Sequence, residues 1–83
     1  MVIEFGIRIT DENGNPIQGA EVEVHYPWTM DSRITNADGW ARFARNTAFG
    51  DAVRTTIYVN GEIRDENIWI ENENTFAYSV LGR

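Results

Sequence analysis

The sequence contains no cysteine, no lysine, one histidine and two prolines, and each scarcity closes a class of chemistry. Without cysteine there is no disulfide, no thiolate zinc site and no cysteine nucleophile, so the redox compartment leaves no mark on the chain. All seven basic residues are arginine, which excludes Schiff-base catalysis, P-loop phosphate binding and a lysine-derived isopeptide cross-link. No apolar run reaches the roughly 18 residues that a membrane-spanning helix needs. The opening Met-Val-Ile-Glu-Phe-Gly puts an acid where a signal peptide needs basic residues and a long apolar stretch, so a soluble chain without membrane insertion is expected. Positive charge is also scarce: 13 acidic against 7 basic residues give a net charge of −6. Such a chain gains nothing from counterion release at a phosphate backbone, and nucleic acid is not an expected partner.

What is present is the composition of a folded domain, 42% apolar and 24% charged over 83 residues, which allows one core and a single domain over residues 1–83. Periodicity sets the class. Ile3, Phe5, Ile7 and Ile9 alternate with Glu4, Gly6 and Arg8, and Ala20, Val22, Val24 and Tyr26 alternate with Glu21, Glu23 and His25; both are strands with one buried face. Between them, Asp11-Glu12-Asn13-Gly14-Asn15-Pro16 is turn chemistry that reverses the chain. Val53, Thr55, Ile57 and Val59 form a later strand, and no segment shows the three- and four-residue spacing of a helix. About seven short strands separated by turns predict an all-β, mostly antiparallel two-sheet β-sandwich without substantial helix.

Three registers are expected. Asn36-Ala37-Asp38-Gly39 predicts a hairpin in which Thr35 pairs with Trp40, Ile34 faces Ala41, Ser32 faces Phe43 and Arg33 meets Arg42. Asn60-Gly61 predicts a second, but a two-residue turn sets Ile57 against Arg64 and Val59 against Glu62, so either a bulge shifts the parity or the turn is longer. Asn72-Glu73-Asn74 predicts a third, with Ile70 opposite Phe76, Ile68 opposite Tyr78, Val80 continuing the buried row, and Trp69 and Ala77 outward. Asn46 to Ala52 reads as a loop.

Ile9 to Asp11, Asn13-Gly14-Asn15-Pro16-Ile17, Gly19-Ala20, Val22, Val24, Thr35, Asp38-Gly39, Ala41 and Phe43 together resemble the carboxypeptidase regulatory-like domains of the transthyretin-like β-sandwich superfamily. The resemblance covers roughly residues 7 to 43. It implies a transthyretin-like, Greek-key sandwich and an accessory role beside enzymatic or transport domains or at a cell surface, hence an extracellular or cell-surface setting. After residue 44 the chain departs from the pattern, with Phe49-Gly50-Asp51-Ala52 where a Gly-x-Tyr segment is common. Bacterial surface domains of the collagen-adhesin B type are similar in the Asn-Gly-x-Pro-x-x-Gly-Ala opening, but the absence of lysine rules out their internal cross-link. Hydroxyisourate hydrolases of the same superfamily depend on several histidines and a Tyr-Arg-Gly-Ser terminus; here there is one histidine, and the end reads Tyr78-Ser79-Val80-Leu81-Gly82-Arg83.

Chemistry-bearing residues do not converge. His25 is placed outward with no nucleophile or orienting partner indicated, the carboxylates read as a solvated surface, and a small hydrolase has the least support. Asp11 to Asn15 has oxygen ligands at alternate positions, yet an EF-hand loop needs Gly and Glu where Pro16 and Val22 stand, so a turn is expected and no metal or cofactor. The aromatic content asks for more. Trp40 and Trp69 are outward by parity and Trp28 lies beside Pro27; with Arg33 and Arg42 they are the candidate binding residues. The expected function is a non-catalytic structural or protein-interaction module, binding a protein partner or itself through the strand pair around Arg33, Thr35, Trp40 and Arg42. The alternative is a carbohydrate-binding module stacking sugars on exposed tryptophan. Against both stands the reading that a shifted register, or the loop from Asn46 to Ala52, buries these rings within the domain.

Overall fold

A computed structural model describes residues 2–46 and 52–81. The loop expected from Asn46 to Ala52 lies mostly outside these residues. Seven strands run in chain order: β1 (Val2–Thr10), β2 (Glu21–His25), β3 (Met30–Ile34), β4 (Trp40–Asn46), β5 (Ala52–Val59), β6 (Glu62–Glu71) and β7 (Thr75–Ser79), with no helix among the described residues. They form a three-stranded sheet, β4-β1-β7, and a four-stranded sheet, β3-β2-β5-β6. All pairings are antiparallel except β1 with β7. The expected all-β, mostly antiparallel sandwich is what the chain forms.

The alternation of apolar residues explains the layering. Ile3, Phe5, Ile7 and Ile9 of β1 and Ala41 and Phe43 of β4 point inward to meet Val22 and Val24 of β2, Val53, Ile57 and Val59 of β5 and Ile70 of β6. Phe5 and Phe43, opposite each other in register, stack with ring centroids 5.3 Å apart. Each buried aliphatic side chain of this set contributes about 1.5–3 kcal/mol.

The turns are where expectation and structure part. Asn36 to Gly39 closes no hairpin: β3 lies in the four-stranded sheet and β4 in the three-stranded one, so this turn carries the chain across the sandwich. Thr35 therefore does not pair with Trp40, and Arg33, opposite Val22, does not meet Arg42, opposite Gly6. The reason is local. Asn36 Oδ1 accepts from the N–H groups of Asp38 and Trp40, and Gly39, at φ 81°, brings its backbone against β1, where its carbonyl accepts from the Ile9 N–H at 2.8 Å. A β-carbon on Gly39 would stand 2.5 Å from the Ile9 carbonyl oxygen, so only glycine fits this corner.

Asn72-Glu73-Asn74 likewise joins two sheets and not two paired strands. β7 runs parallel to β1, so Ile70 and Phe76 are not in-sheet partners and neither are Ile68 and Tyr78. These residues still meet the core, from opposite layers. At Asn60-Gly61, by contrast, the turn is the expected two-residue hairpin, with φ 50° and 84°. The turn keeps Val59 opposite Glu62, as expected, and Tyr58 opposite Ile63; a bulge then sets Ile57 against Asp65 in place of Arg64, and a second irregularity follows between Thr55 and Ile57.

Candidate interaction surfaces

Each sheet turns one face outward, and the two faces differ. On the three-stranded sheet, Glu4, Gly6 and Arg8 of β1 lie beside Trp40, Arg42 and Ala44 of β4 and Thr75 and Ala77 of β7. Trp40 does not project into solvent. Its ring lies over Gly6, where a β-carbon would come within 3.0 Å of the indole, and the Arg42 guanidinium sits 4.8 Å from the ring centroid. The missing side chain at Gly6 makes the seat, and the indole restores the apolar cover that glycine lacks. Arg8 Nε donates to the Asp38 carbonyl at 3.4 Å, holding the neighbouring turn.

On the four-stranded sheet the outward set is Met30, Ser32 and Ile34 of β3, Glu21, Glu23 and His25 of β2, Arg54, Thr56 and Tyr58 of β5, and Ile63 and Trp69 of β6. Four large apolar side chains here are exposed: Trp69 at 64%, Ile34 at 59%, Ile63 at 52% and Met30 at 41%. Ile63 faces Tyr58, Tyr58 contacts the His25 ring at 4.5 Å between centroids, and His25 faces Met30. An apolar and aromatic stripe thus crosses all four strands. Trp69 stands on the same face farther along β6, opposite Arg54. His25 Nε2 and Glu23 Oε1 are 2.9 Å apart, which fixes the imidazole within the stripe.

The five candidate binding residues fall in separate places. Trp40 and Arg42 share the three-stranded face. Arg33 stands exposed on edge strand β3, and Thr35 is buried, its hydroxyl donating to the Ile17 carbonyl at 2.7 Å and accepting from the Ala20 N–H at 2.9 Å. The expected interface around Arg33, Thr35, Trp40 and Arg42 is therefore not one surface, because the turn that was to pair their strands instead separates them. Trp28, 58% exposed in the β2–β3 turn, stacks on Tyr26 with centroids 5.9 Å apart. Trp69 alone stands outward and open as parity predicts. Ile63 and the Tyr58–His25 contact escaped the sequence reading, although the two-residue turn at Asn60-Gly61 by itself sets Ile63 opposite Tyr58 on the outer face.

The acidic turn after β1 spends its oxygens on itself. Asp11 accepts from the Asn13 and Asn15 N–H groups at 2.8 and 2.9 Å and from the Asn15 side-chain amide at 3.1 Å. The hydrogen bonds from Asn15 hold its carboxyl below the ordinary value. Among the described residues no three of His, Asp or Glu gather as a metal site. The grooves are shallow: one of about 360 Å³ lies along Glu62, Arg64, Ser79 and Leu81, and one of about 310 Å³ beside Gly6, Arg42 and Thr75. Comparison with protein-family models, with curated proteins and with solved structures finds no match to this chain.

Proposed function

We propose that this domain is a non-catalytic protein-interaction module, an accessory part of a larger protein or assembly, and that it binds its partner through the outer face of the four-stranded sheet. One observation carries the reading: Trp69, Ile34, Ile63 and Met30 stand exposed together on that face, while the Trp40 of the other face is folded down onto its own sheet. Exposed apolar side chains that share one surface favour a covering partner, and tryptophan is the side chain most enriched where interfaces draw their energy. The resemblance of residues 7 to 43 to carboxypeptidase regulatory-like, transthyretin-like domains supports an accessory role. Arg54 beside Trp69 and Glu23 beside Tyr58 add charged groups next to the apolar side chains, a mixture suited to a protein surface.

Paired variants test this. Trp69→Ala and Ile63→Ser are expected to abolish capture of the partner by the immobilised domain while leaving its thermal midpoint nearly unchanged, whereas Trp40→Ala keeps capture and lowers the midpoint. Loss of capture with Trp40→Ala alone would place the interface on the other sheet. A saturable change in tryptophan fluorescence on adding an oligosaccharide, absent in Trp69→Ala, would replace the protein partner by a glycan.

A further inference from the structure

Four strands end the two sheets, and three of them are blunted. β3 carries Asp31 and Arg33, β4 carries Arg42 and Arg45, and β6 carries Glu62, Arg64, Asp65, Glu66 and Glu71 together with the register breaks. Charges and bulges are the usual guards of an edge against a foreign strand. β7 reads Thr75-Phe76-Ala77-Tyr78-Ser79, without charge or proline, and its register with β1 is unbroken. Its backbone is also aimed. The Gly6 N–H donates to the Asn74 carbonyl at 3.1 Å and the Val80 N–H to the Thr10 carbonyl at 2.9 Å, so the even-numbered residues turn their peptide groups to β1. Thr75, Ala77 and Ser79 turn theirs to the open side, where Arg64 Nη2 reaches the Ser79 carbonyl at 2.7 Å.

We infer that this edge pairs antiparallel with β7 of a second copy of the chain, about a two-fold axis at Ala77. The order of residues commits it to a second copy: hydroxyl, aromatic, alanine, aromatic, hydroxyl reads alike in both directions. A two-fold interface requires that self-complementarity. Ala77 then faces Ala77, Thr75 faces Ser79 and Phe76 faces Tyr78 of the second copy. The parity agrees, since residues 75, 77 and 79 are the ones that can exchange both backbone hydrogen bonds with a facing residue. Hydroxyl pairs and aromatic pairs are favourable across strands. Phe76 and Tyr78 are only half-buried in the single chain, and pairing covers their open flank. The Ser79 carbonyl has a second lone pair, so Arg64 need not leave. The product is one continuous sheet, β4-β1-β7 joined to its own symmetry mate. This seam rests on the reading of the domain as an assembly module, but it uses a different surface.

Because the chain has no cysteine, Ala77→Cys introduces a single thiol. Facing residues of a hydrogen-bonded antiparallel pair lie about 5.5 Å apart at Cα, within disulfide range. Mild oxidation of Ala77→Cys is expected to give covalent dimer at least about tenfold faster than that of Ala44→Cys, an exposed alanine on the opposite edge of the same sheet. In sedimentation velocity the wild type is expected to dimerise with rising concentration. Salt strengthens that association, since each copy carries −6. Ala77→Pro stays monomeric, because it removes an N–H that faces the open edge and none that bonds β1. Should the proline variant lose its strand signature in circular dichroism, Thr75→Lys makes the same test with a charge. Equal oxidation rates, or a wild type monomeric at every concentration and salt, overturn the seam. If Trp69→Ala still abolishes partner capture in that case, the function proposed above stands without it.

Discussion

On the open side between β3 and β4, Tyr26 donates its hydroxyl to Asp31 Oδ2 at 3.1 Å, Arg45 Nη2 pairs with Asp31 Oδ1 at 3.4 Å, and the guanidinium lies 5.3 Å from the centre of the Tyr26 ring. On the opposite side, between β6 and β7, Tyr78 donates to Asp65, and the Arg64 guanidinium lies 5.7 Å from the centre of the Tyr78 ring. The same three residue types latch both flanks, but the part that crosses between sheets differs. In the first latch the arginine of β4 crosses to an aspartate of β3, and a guarded edge results. In the second the tyrosine of β7 crosses to β6 while the arginine caps one carbonyl, and the rest of the β7 edge stays bare. A sandwich can thus be shut on both flanks and still leave one edge able to take another strand.

The turns that carry the chain across these two flanks differ as well, and the largest expected effect lies there. Gly39→Ala combines a left-handed backbone with a clash against the Ile9 carbonyl, and is expected to cost about 3 kcal/mol, lowering the thermal midpoint by roughly 12–24 °C. Asp31→Ala strips Arg45 and Tyr26 of their shared acceptor. Arg45 Nε is already buried without a hydrogen-bond partner among the described residues, so the expected loss is about 2 kcal/mol, reduced from that of a deep pair by partial exposure. Both losses are read by denaturant unfolding.

Tyr78→Phe is expected to cost about 1 kcal/mol at neutral pH, the worth of one ordinary hydrogen bond. It should also change the alkaline limb. Burial first, then the neighbouring Asp31 or Asp65, raises both latch tyrosines above their ordinary value. The folded state therefore keeps its phenolic protons longer than the unfolded chain. Their stabilising contribution is complete below the ordinary tyrosine range, about pH 10, and drains away as pH rises beyond it. A pH series of urea midpoints should show Tyr78→Phe falling less steeply above that point than the wild type. The smallest effect has the opposite sign: Glu73 holds φ 68°, so Glu73→Gly should raise stability by up to about 1 kcal/mol where Gly39→Ala lowers it.

The layers of this fold were legible because alternation is a local property. Each inward residue of β1, β2 and β5 could be named from its own strand. Strand partners were legible only at the Asn60-Gly61 hairpin, because a turn such as Asn36 to Gly39 looks like a hairpin until the Ile9 N–H, some thirty residues upstream, bonds the Gly39 carbonyl. The same blindness scattered the proposed Arg33, Trp40 and Arg42 patch over two sheets. Trp69 survived as a surface residue because its exposure depends on parity alone, whereas Trp40 needed the glycine of a neighbouring strand to explain where its ring goes. The bulge after Ile63 was visible only as a contradiction between the two-residue turn and the apolar pattern of β5.

That one flank is guarded and the other left to receive a strand is tested most directly by residue-resolved amide exchange at low and high protein concentration. In the dilute sample the Ala77 amide, turned to the open edge, should exchange fast beside slow Phe76 and Tyr78. In the concentrated sample Ala77 should slow markedly, while Ala44 on the guarded edge stays fast. An Ala77 amide whose exchange is independent of concentration, or an Ala44 amide that slows instead, would contradict it.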